Sequence, residues 1–113
     1  MEDQKVKVYI HPNPEIRSFL TSRDIFPPRV EIFRSPLADD TPGLNVLGTI
    51  ASQIVRDILS VPGVREIRIK PHEVRVKKDP YALWENIQER VVETLRRALR
   101  KRQLRLVRSK EAK

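Results

Sequence analysis

The sequence of 113 residues contains no cysteine. A chain without cysteine forms no disulfide, binds no metal through thiolates and has no cysteine nucleophile. Histidine is nearly as scarce, because His11 and His72 are the only two and lie in separate segments. Metal sites without cysteine need clusters of histidine and carboxylate ligands, and two isolated histidines offer no such cluster. We therefore predict that this chain holds no metal and no cofactor.

Other absences exclude further classes of function. Only three glycines are present, too few for a glycine-rich phosphate loop, and no serine stands in a recognised motif with a histidine. We therefore predict no catalytic residue, no enzyme activity and no small-molecule substrate. The chain also lacks an apolar run of about 18 residues and an apolar signal segment near its start. These two absences predict a cytoplasmic protein that does not enter a membrane.

Positive charge is concentrated at one end of the chain. The formal net charge is +8, yet residues 1–95 carry 14 basic and 14 acidic side chains. Residues 96–113 carry nine basic side chains against Glu111 alone. The high isoelectric point is therefore a property of the C-terminal segment, and we predict a neutral domain followed by a basic extension.

Alternation of apolar and polar residues indicates several short strands. It occurs over residues 6–10, 17–20, 30–33, 67–69 and 74–76. In the third of these, Val30 and Ile32 are the predicted inward positions. The last two surround Pro71-His72 and predict a β-hairpin. Its outer positions mix acidic and basic residues, which predicts mildly favourable cross-strand pairs.

Two segments have helical periodicity instead. Apolar residues recur at spacings of three and four over residues 47–59, with Asn45 as the predicted N-cap. A second helix is predicted to begin at Asp79, which caps it, with Pro80 as its first residue. Its apolar stripe starts at Trp84 and continues past Leu95.

The order of strands, helix, hairpin and helix predicts an α+β fold. Because each amphipathic element buries one face, we expect a two-layer sandwich with both helices on one face of a largely antiparallel sheet. Residues 1–103 are predicted to form this single domain, and residues 104–113 a basic C-terminal tail.

The tract His11-Pro12-Asn13-Pro14 directly follows the first predicted strand. Two prolines flanking an asparagine at this place are too particular for a generic loop. The tract resembles the Pro-Asn-Pro entry of the N-terminal domain of Nfu/NifU-like iron–sulfur scaffold proteins.

A second group of features resembles the same domain. A helix ends at Gly63-Val64, two short strands follow, and then come Asp79 and the tryptophan-bearing helix with Trp84. Both groups occur in the family's order, so the similarity spans roughly residues 6–100.

The resemblance implies an accessory function in iron–sulfur cluster assembly or delivery. In that family the cluster is held by a Cys-x-x-Cys pair on a separate C-terminal domain, so the resemblance implies that this chain does not hold the cluster itself. It implies a non-catalytic adaptor whose partners are proteins of cluster assembly or acceptor apoproteins.

Two interpretations of the Pro-Asn-Pro tract remain open. It is either a rigid exit from an edge strand, since proline restricts the residue before it, or a contact surface. The candidate partner-contact residues in the second interpretation are His11, Asn13 and Arg17.

The basic C-terminal segment provides an alternative function. Its guanidinium and ammonium groups are typical of phosphate contacts, which predicts a small basic protein that binds nucleic acid through residues 96–110. The candidate contacts are Arg96, Arg97, Arg100, Lys101, Arg102 and Arg105. The competing interpretation is a solvated helix C-terminus, where cations are favoured by the helix dipole. No aromatic residue in this segment is available to stack on bases.

Overall fold

The computed structural model describes residues 5–38 and 40–111, with side chains described as far as Lys101. In chain order the elements are β1 (Val6–Ile10), β2 (Ile16–Thr21), β3 (Glu31–Arg34), α1 (Thr49–Leu59), β4 (Val64–Lys70), β5 (Glu73–Lys78) and α2 (Trp84–Glu111). The predicted α+β class is confirmed.

The five strands form one sheet in the order β1-β2-β5-β4-β3, and every neighbouring pair is antiparallel. The predicted hairpin around Pro71-His72 is the β4–β5 pair, in which Lys70 faces Glu73. A bulge between Val64 and Glu66 shifts the register of this hairpin at the end farthest from its turn. Edge strands β1 and β3 flank the sheet, so β5 lies at its centre.

One face of the sheet is buried against both helices. Because side chains alternate along a strand, Phe19, Ile67 and Val76 point to the same side, and none of the three is exposed. Apolar residues of α1 and α2 complete a single core with them, including Ile58 and Leu95. The other face has no helix packed on it and carries mostly polar side chains; we call it the open face.

The inward positions predicted for the third strand are wrong. Val30 and Ile32 are 56% and 50% exposed, whereas Phe33 is 2% exposed and lies opposite Ile67. Phe33 has the largest apolar surface in the segment, so burying it is favoured. The period of two then turns Ile32 outward.

The two predicted helix starts are also wrong. Asn45 lies in a short 3₁₀ helix, and α1 begins only after Gly48, whose φ of +88° separates the two. Asp79 closes a turn of its own, because its Oδ1 accepts the N–H of Tyr81 at 2.9 Å and its carbonyl accepts that of Ala82 at 3.0 Å. Helix α2 therefore begins at Trp84.

Helix α2 continues through most of the predicted tail. Its backbone is helical to Glu111, beyond the predicted boundary at residue 103. Ala98 and Leu99 on this helix belong to the core, at 5% and 3% exposure. Among the described residues, no helix is both long and apolar enough to cross a bilayer.

Candidate functional site

The Pro-Asn-Pro tract forms the turn that joins β1 to β2. Asn13 shapes it through both of its oxygens: Oδ1 accepts the N–H of Glu15 at 2.9 Å, and the main-chain oxygen accepts the N–H of Ile16 at 3.1 Å. This is an Asx turn, in which the asparagine side chain replaces a backbone acceptor. The Asn13 side-chain oxygen is therefore engaged in holding the chain reversal.

Two hydrogen bonds attach this turn to the rest of the fold. Trp84 Nε1 donates to the Pro14 carbonyl at 2.7 Å, and the Lys78 N–H donates to the Glu15 carbonyl at 2.9 Å. The first joins the turn to the start of α2, and the second joins it to β5. The turn is thus tied to elements about 70 positions away in the chain.

Arg17 lies on the helix side of the sheet. Its guanidinium carbon is 5.0 Å from the centroid of the Trp84 ring, a cation–π arrangement. One terminal nitrogen donates to Gln88 Oε1 at 2.5 Å. Its Nε is buried and has no hydrogen-bond acceptor among the described residues. Arg17 therefore adds to the attachment between β2 and α2.

His11 lies on the opposite, open side. The Ser18 hydroxyl donates to Glu73 Oε2 at 2.6 Å, and Ser18 Oγ is 2.7 Å from His11 Nε2. Since the hydroxyl has a single hydrogen, His11 is the donor to Ser18. A nucleophilic serine instead has histidine between itself and the carboxylate. Here the 2%-exposed serine is in the middle, so this chain of hydrogen bonds joins the residue that follows β1 to β2 and β5.

The three predicted partner-contact residues do not converge on one surface. His11 is on the open side, Arg17 is on the helix side, and Asn13 is exposed on the turn between them. His11 and Asn13 belong to the turn, whereas Arg17 follows it in β2. A partner contacting all three would have to wrap around this end of the sheet. Their role in contacts stays a prediction.

The basic residues predicted to bind anions extend along α2. Arg96, Arg97, Arg100 and Lys101 are exposed, and Arg100 is 3.5 Å from Glu93. The side chains of Arg102 and Arg105 lie outside the described residues. Four predicted contacts are therefore placed on the solvent side of one continuous helix.

The open face has a feature that the predicted cross-strand pairs did not include. Lys70 lies opposite Glu73, as mixed charges suggest, but Arg68 lies opposite Arg75. Like charges in opposed positions destabilise a sheet, so the expectation of favourable pairs is wrong for these arginines. A two-residue turn at Pro71-His72 pairs positions equidistant from it, so the sequence contained this signal.

A model of the family described as scaffold protein Nfu/NifU N terminal matches residues 6–102. The chain belongs to this family. The predicted resemblance is thereby confirmed, and the family supports a role in iron–sulfur cluster assembly.

Solved structures share the fold of this Nfu/NifU N-terminal domain. The crystal structure of protein SAV1430 from Staphylococcus aureus has a TM-score of 0.61 and 21% identity, covering 80% of this chain and 96% of that one. The solution structure of the NifU-like protein from Saccharomyces cerevisiae has a TM-score of 0.60 and 21% identity, covering 82% and 76%. No curated protein matches the chain. At this identity the solved structures show the fold alone.

The described residues of this Nfu/NifU N-terminal domain include no set of ligands that fits an iron–sulfur cluster. The chain has no cysteine, and no group of three potential metal ligands occurs among its described residues. His11 is bonded to Ser18, while His72 Nε2 contacts Asp24 Oδ1 at 2.5 Å. Each histidine therefore has its own partner within the fold.

Proposed function

We propose that this domain is a non-catalytic adaptor in iron–sulfur cluster assembly or delivery, acting through protein contacts without holding the cluster. One observation carries the proposal: a family of cluster scaffolds matches residues 6–102 of a chain without cysteine. Thiolates are the usual ligands of such clusters. A domain without them contributes by positioning another protein that has them.

Anaerobic reconstitution tests whether the domain holds a cluster. The purified chain is incubated with ferrous iron, sulfide and a reducing thiol, desalted, and assayed for iron, sulfide and visible absorbance. We expect neither iron nor sulfide to remain in stoichiometric amounts. A Cys-x-x-Cys protein treated in parallel shows that the procedure works. A stable chromophore with stoichiometric iron and sulfide would contradict the adaptor role.

Affinity capture from native lysate tests the contact half of the proposal. The full chain is immobilised, and captured proteins are identified at a low and a physiological salt concentration. Recovery of cluster-assembly proteins or acceptor apoproteins at both concentrations supports the adaptor role. Recovery of ribosomes or DNA only at low salt supports nucleic-acid binding instead, since phosphate contacts are strongly salt-dependent.

A second candidate function is nucleic-acid binding through α2. The observation in its favour is that Arg96, Arg97, Arg100 and Lys101 are exposed on one helix. Truncation after Leu95 is unsuitable as a test because it removes the buried Leu99.

Replacing these four residues with glutamine tests the second candidate without truncation. If the helix binds phosphates, the variant should lose about tenfold or more in affinity for duplex or single-stranded nucleic acid at low salt. Fluorescence anisotropy measures this, and circular dichroism confirms that the variant is folded. Equal affinity of variant and wild type, or no binding by the wild type at low salt, rules this candidate out.

A further inference from the structure

We propose that the open face of the sheet docks an acidic polypeptide segment, with carboxylates of that segment over Arg68 and Arg75. The proposal deepens the adaptor role by giving the chemistry of a partner. It rests on that role only in assuming that the domain works through protein contacts. It depends neither on the partner's identity nor on iron–sulfur chemistry.

The central observation is a pair of arginines with unfilled donors. Arg68 on β4 lies directly opposite Arg75 on β5, near the middle of the sheet. Both Nε atoms are buried, and neither has a hydrogen-bond partner among the described residues. Opposed side chains in a sheet lie about 4.5–5.5 Å apart at Cβ, so the two positive charges repel each other.

A carboxylate above the pair relieves this repulsion. It supplies the opposite charge, and its two oxygens accept hydrogen bonds in the planar geometry that a guanidinium offers. Arg68 and Arg75 have no carboxylate of their own within ion-pairing distance in the described part of the chain. Since no described residue fills this place, we assign the acidic group that fits between them to another molecule.

The charges around this pair also favour an acidic partner. The register and the alternation place six basic side chains and two acidic ones on the open face: Lys7, Arg34, Arg68, Lys70, Arg75, Lys77, Glu66 and Glu73. Glu66 already binds Arg34 at 2.8 Å, and Glu73 already accepts the Ser18 hydroxyl. Both acids are thus engaged within the fold, which leaves the face positive.

Exposed apolar groups lie at both ends of the same row of residues. The register aligns Tyr9, Ser18, Arg75, Arg68 and Ile32 across the five strands. Tyr9 is 53% exposed and Ile32 is 50% exposed. Tyrosine and arginine are enriched where protein interfaces concentrate their binding energy. The row therefore combines apolar contacts with a central anion-binding pair, which favours an acidic segment that also carries apolar residues.

A protein fits this face better than a nucleic acid. Proteins that bind single strands on a sheet stack bases on several aromatic rings. Among the described residues the open face has Tyr9 and the imidazole of His11, which already pack edge to face with centroids 4.7 Å apart. Glu66 and Glu73 also interrupt the path that a continuous phosphate backbone would follow.

A short acidic peptide provides the direct test. Five strands spaced by about 4.8 Å make a face roughly 20 Å wide, which about six extended residues span at about 3.3 Å each, so an octapeptide is long enough to cross it. The probe is a fluorescein-labelled octapeptide of alternating glutamate and leucine. A glutamine–leucine peptide and an oligothymidylate are the controls. We expect the full chain to bind the glutamate peptide, with affinity decreasing as salt is raised.

Paired variants locate the binding. Arg68→Gln combined with Arg75→Gln should lower the affinity for the glutamate peptide by about tenfold or more. Arg56→Gln combined with Arg90→Gln removes the same charge from the helix layer and should change it by less than about twofold. Absence of binding by the wild type, equal losses in the two variants, or preferential binding of oligothymidylate would overturn the proposal.

Folding stability gives a second, independent readout. Because the pair is repulsive, the Arg68→Gln and Arg75→Gln double variant should unfold at the same or a higher denaturant concentration than wild type. A clear loss of stability would show that the arginines support the fold, and would overturn the argument from repulsion. Neither readout depends on cluster reconstitution. Failure of the peptide test therefore leaves the adaptor role standing, and a cluster found on reconstitution would leave the acidic docking site standing.

Discussion

Replacing Gly63 with alanine should lower the free energy of unfolding by several kcal/mol. Two costs contribute to this effect. Gly63 has a φ of +96°, where a residue with a side chain is strained, typically by about 1–3 kcal/mol. The added methyl group also overfills a packed contact, which typically costs a further 1–3 kcal/mol or so.

The neighbours of Gly63 leave little room for an added methyl group. A Cβ at this position would be 2.7 Å from the Ala82 Cβ and 3.3 Å from the Ile87 Cδ1. The Ala82 methyl group is fixed to its backbone and has no rotamer to change. The Gly63 carbonyl accepts the Asp79 N–H at 2.7 Å, so the segment before α2 is held close on this side as well.

Urea denaturation of Gly63→Ala and Gly48→Ala separates the two costs. Gly48 also has a positive φ, of +88°, but a Cβ there would meet nothing within 4 Å. The larger loss should therefore occur at Gly63. Adding Ala82→Gly to Gly63→Ala should recover part of the stability, because it removes the nearer of the two contacts. An equal or smaller loss at Gly63 would contradict the packing cost assigned to its contacts with Ala82 and Ile87.

The elements that could be predicted from the sequence are those with a long apolar repeat. Helix α1 buries Ala51, Ile54, Val55 and Ile58, at the spacings of three and four that its sequence displays. The β4–β5 hairpin has alternation on both strands around a two-residue turn. In both elements many positions predict the same buried face, so one exceptional residue does not change the predicted structure.

The wrong predictions concern short segments in which one residue decides between two structures. Asp79 is a favourable N-cap, but aspartate hydrogen-bonds equally well within a turn, and the Asp79–Ala82 turn uses it in that way. Strand β3 has only four residues, too few for alternation to outweigh the burial of Phe33. The local sequence does not distinguish a helix cap from a turn, or the two orientations of a short strand, because the same residues are favourable in both.

The candidate site was only partly predictable, for a related reason. The Pro-Asn-Pro tract was recognisable as particular, but its attachment to Trp84 joins residues 70 positions apart, and no local pattern encodes that distance. The Arg68–Arg75 pair was within reach, because both residues are three positions outside a two-residue turn. The overall mixture of acidic and basic residues in the hairpin does not reveal it, because the register decides which charges oppose each other.

Replacing Trp84 with alanine is the second change for which we expect a large effect. The indole donates to the Pro14 carbonyl at 2.7 Å, lies under the Arg17 guanidinium at 5.0 Å and packs near Phe19 with centroids 6.5 Å apart. Loss of a packed tryptophan ring costs about 3 kcal/mol or more in a core. Trp84 is half-buried, so we expect a loss near the lower end of that range.

Trp84→Phe separates the hydrogen bond from the ring. Phenylalanine keeps an aromatic face for Phe19 but has no N–H, so we expect a loss of about 0.5–1.5 kcal/mol, the usual net value of one hydrogen bond. Tyr81→Ala is the matched control: this tyrosine is 95% exposed, and its removal should change stability by less than about 0.5 kcal/mol. Equal losses for Trp84→Phe and Trp84→Ala would mean that the ring contributes nothing beyond its N–H.

The same variant decides between the two interpretations of the Pro-Asn-Pro tract. Trp84→Phe removes the bond to Pro14 and leaves the Asx turn of Asn13 intact, so the turn loses its fixed position relative to α2 while the sheet stays folded. If the turn presents contact residues to a partner, affinity capture by the folded variant should fall by more than its small stability loss explains. If the turn is only a rigid strand exit, capture should be unchanged. The comparison is informative because more than 98% of the variant remains folded after a loss of about 1.5 kcal/mol from a typical stability of 5 kcal/mol or more.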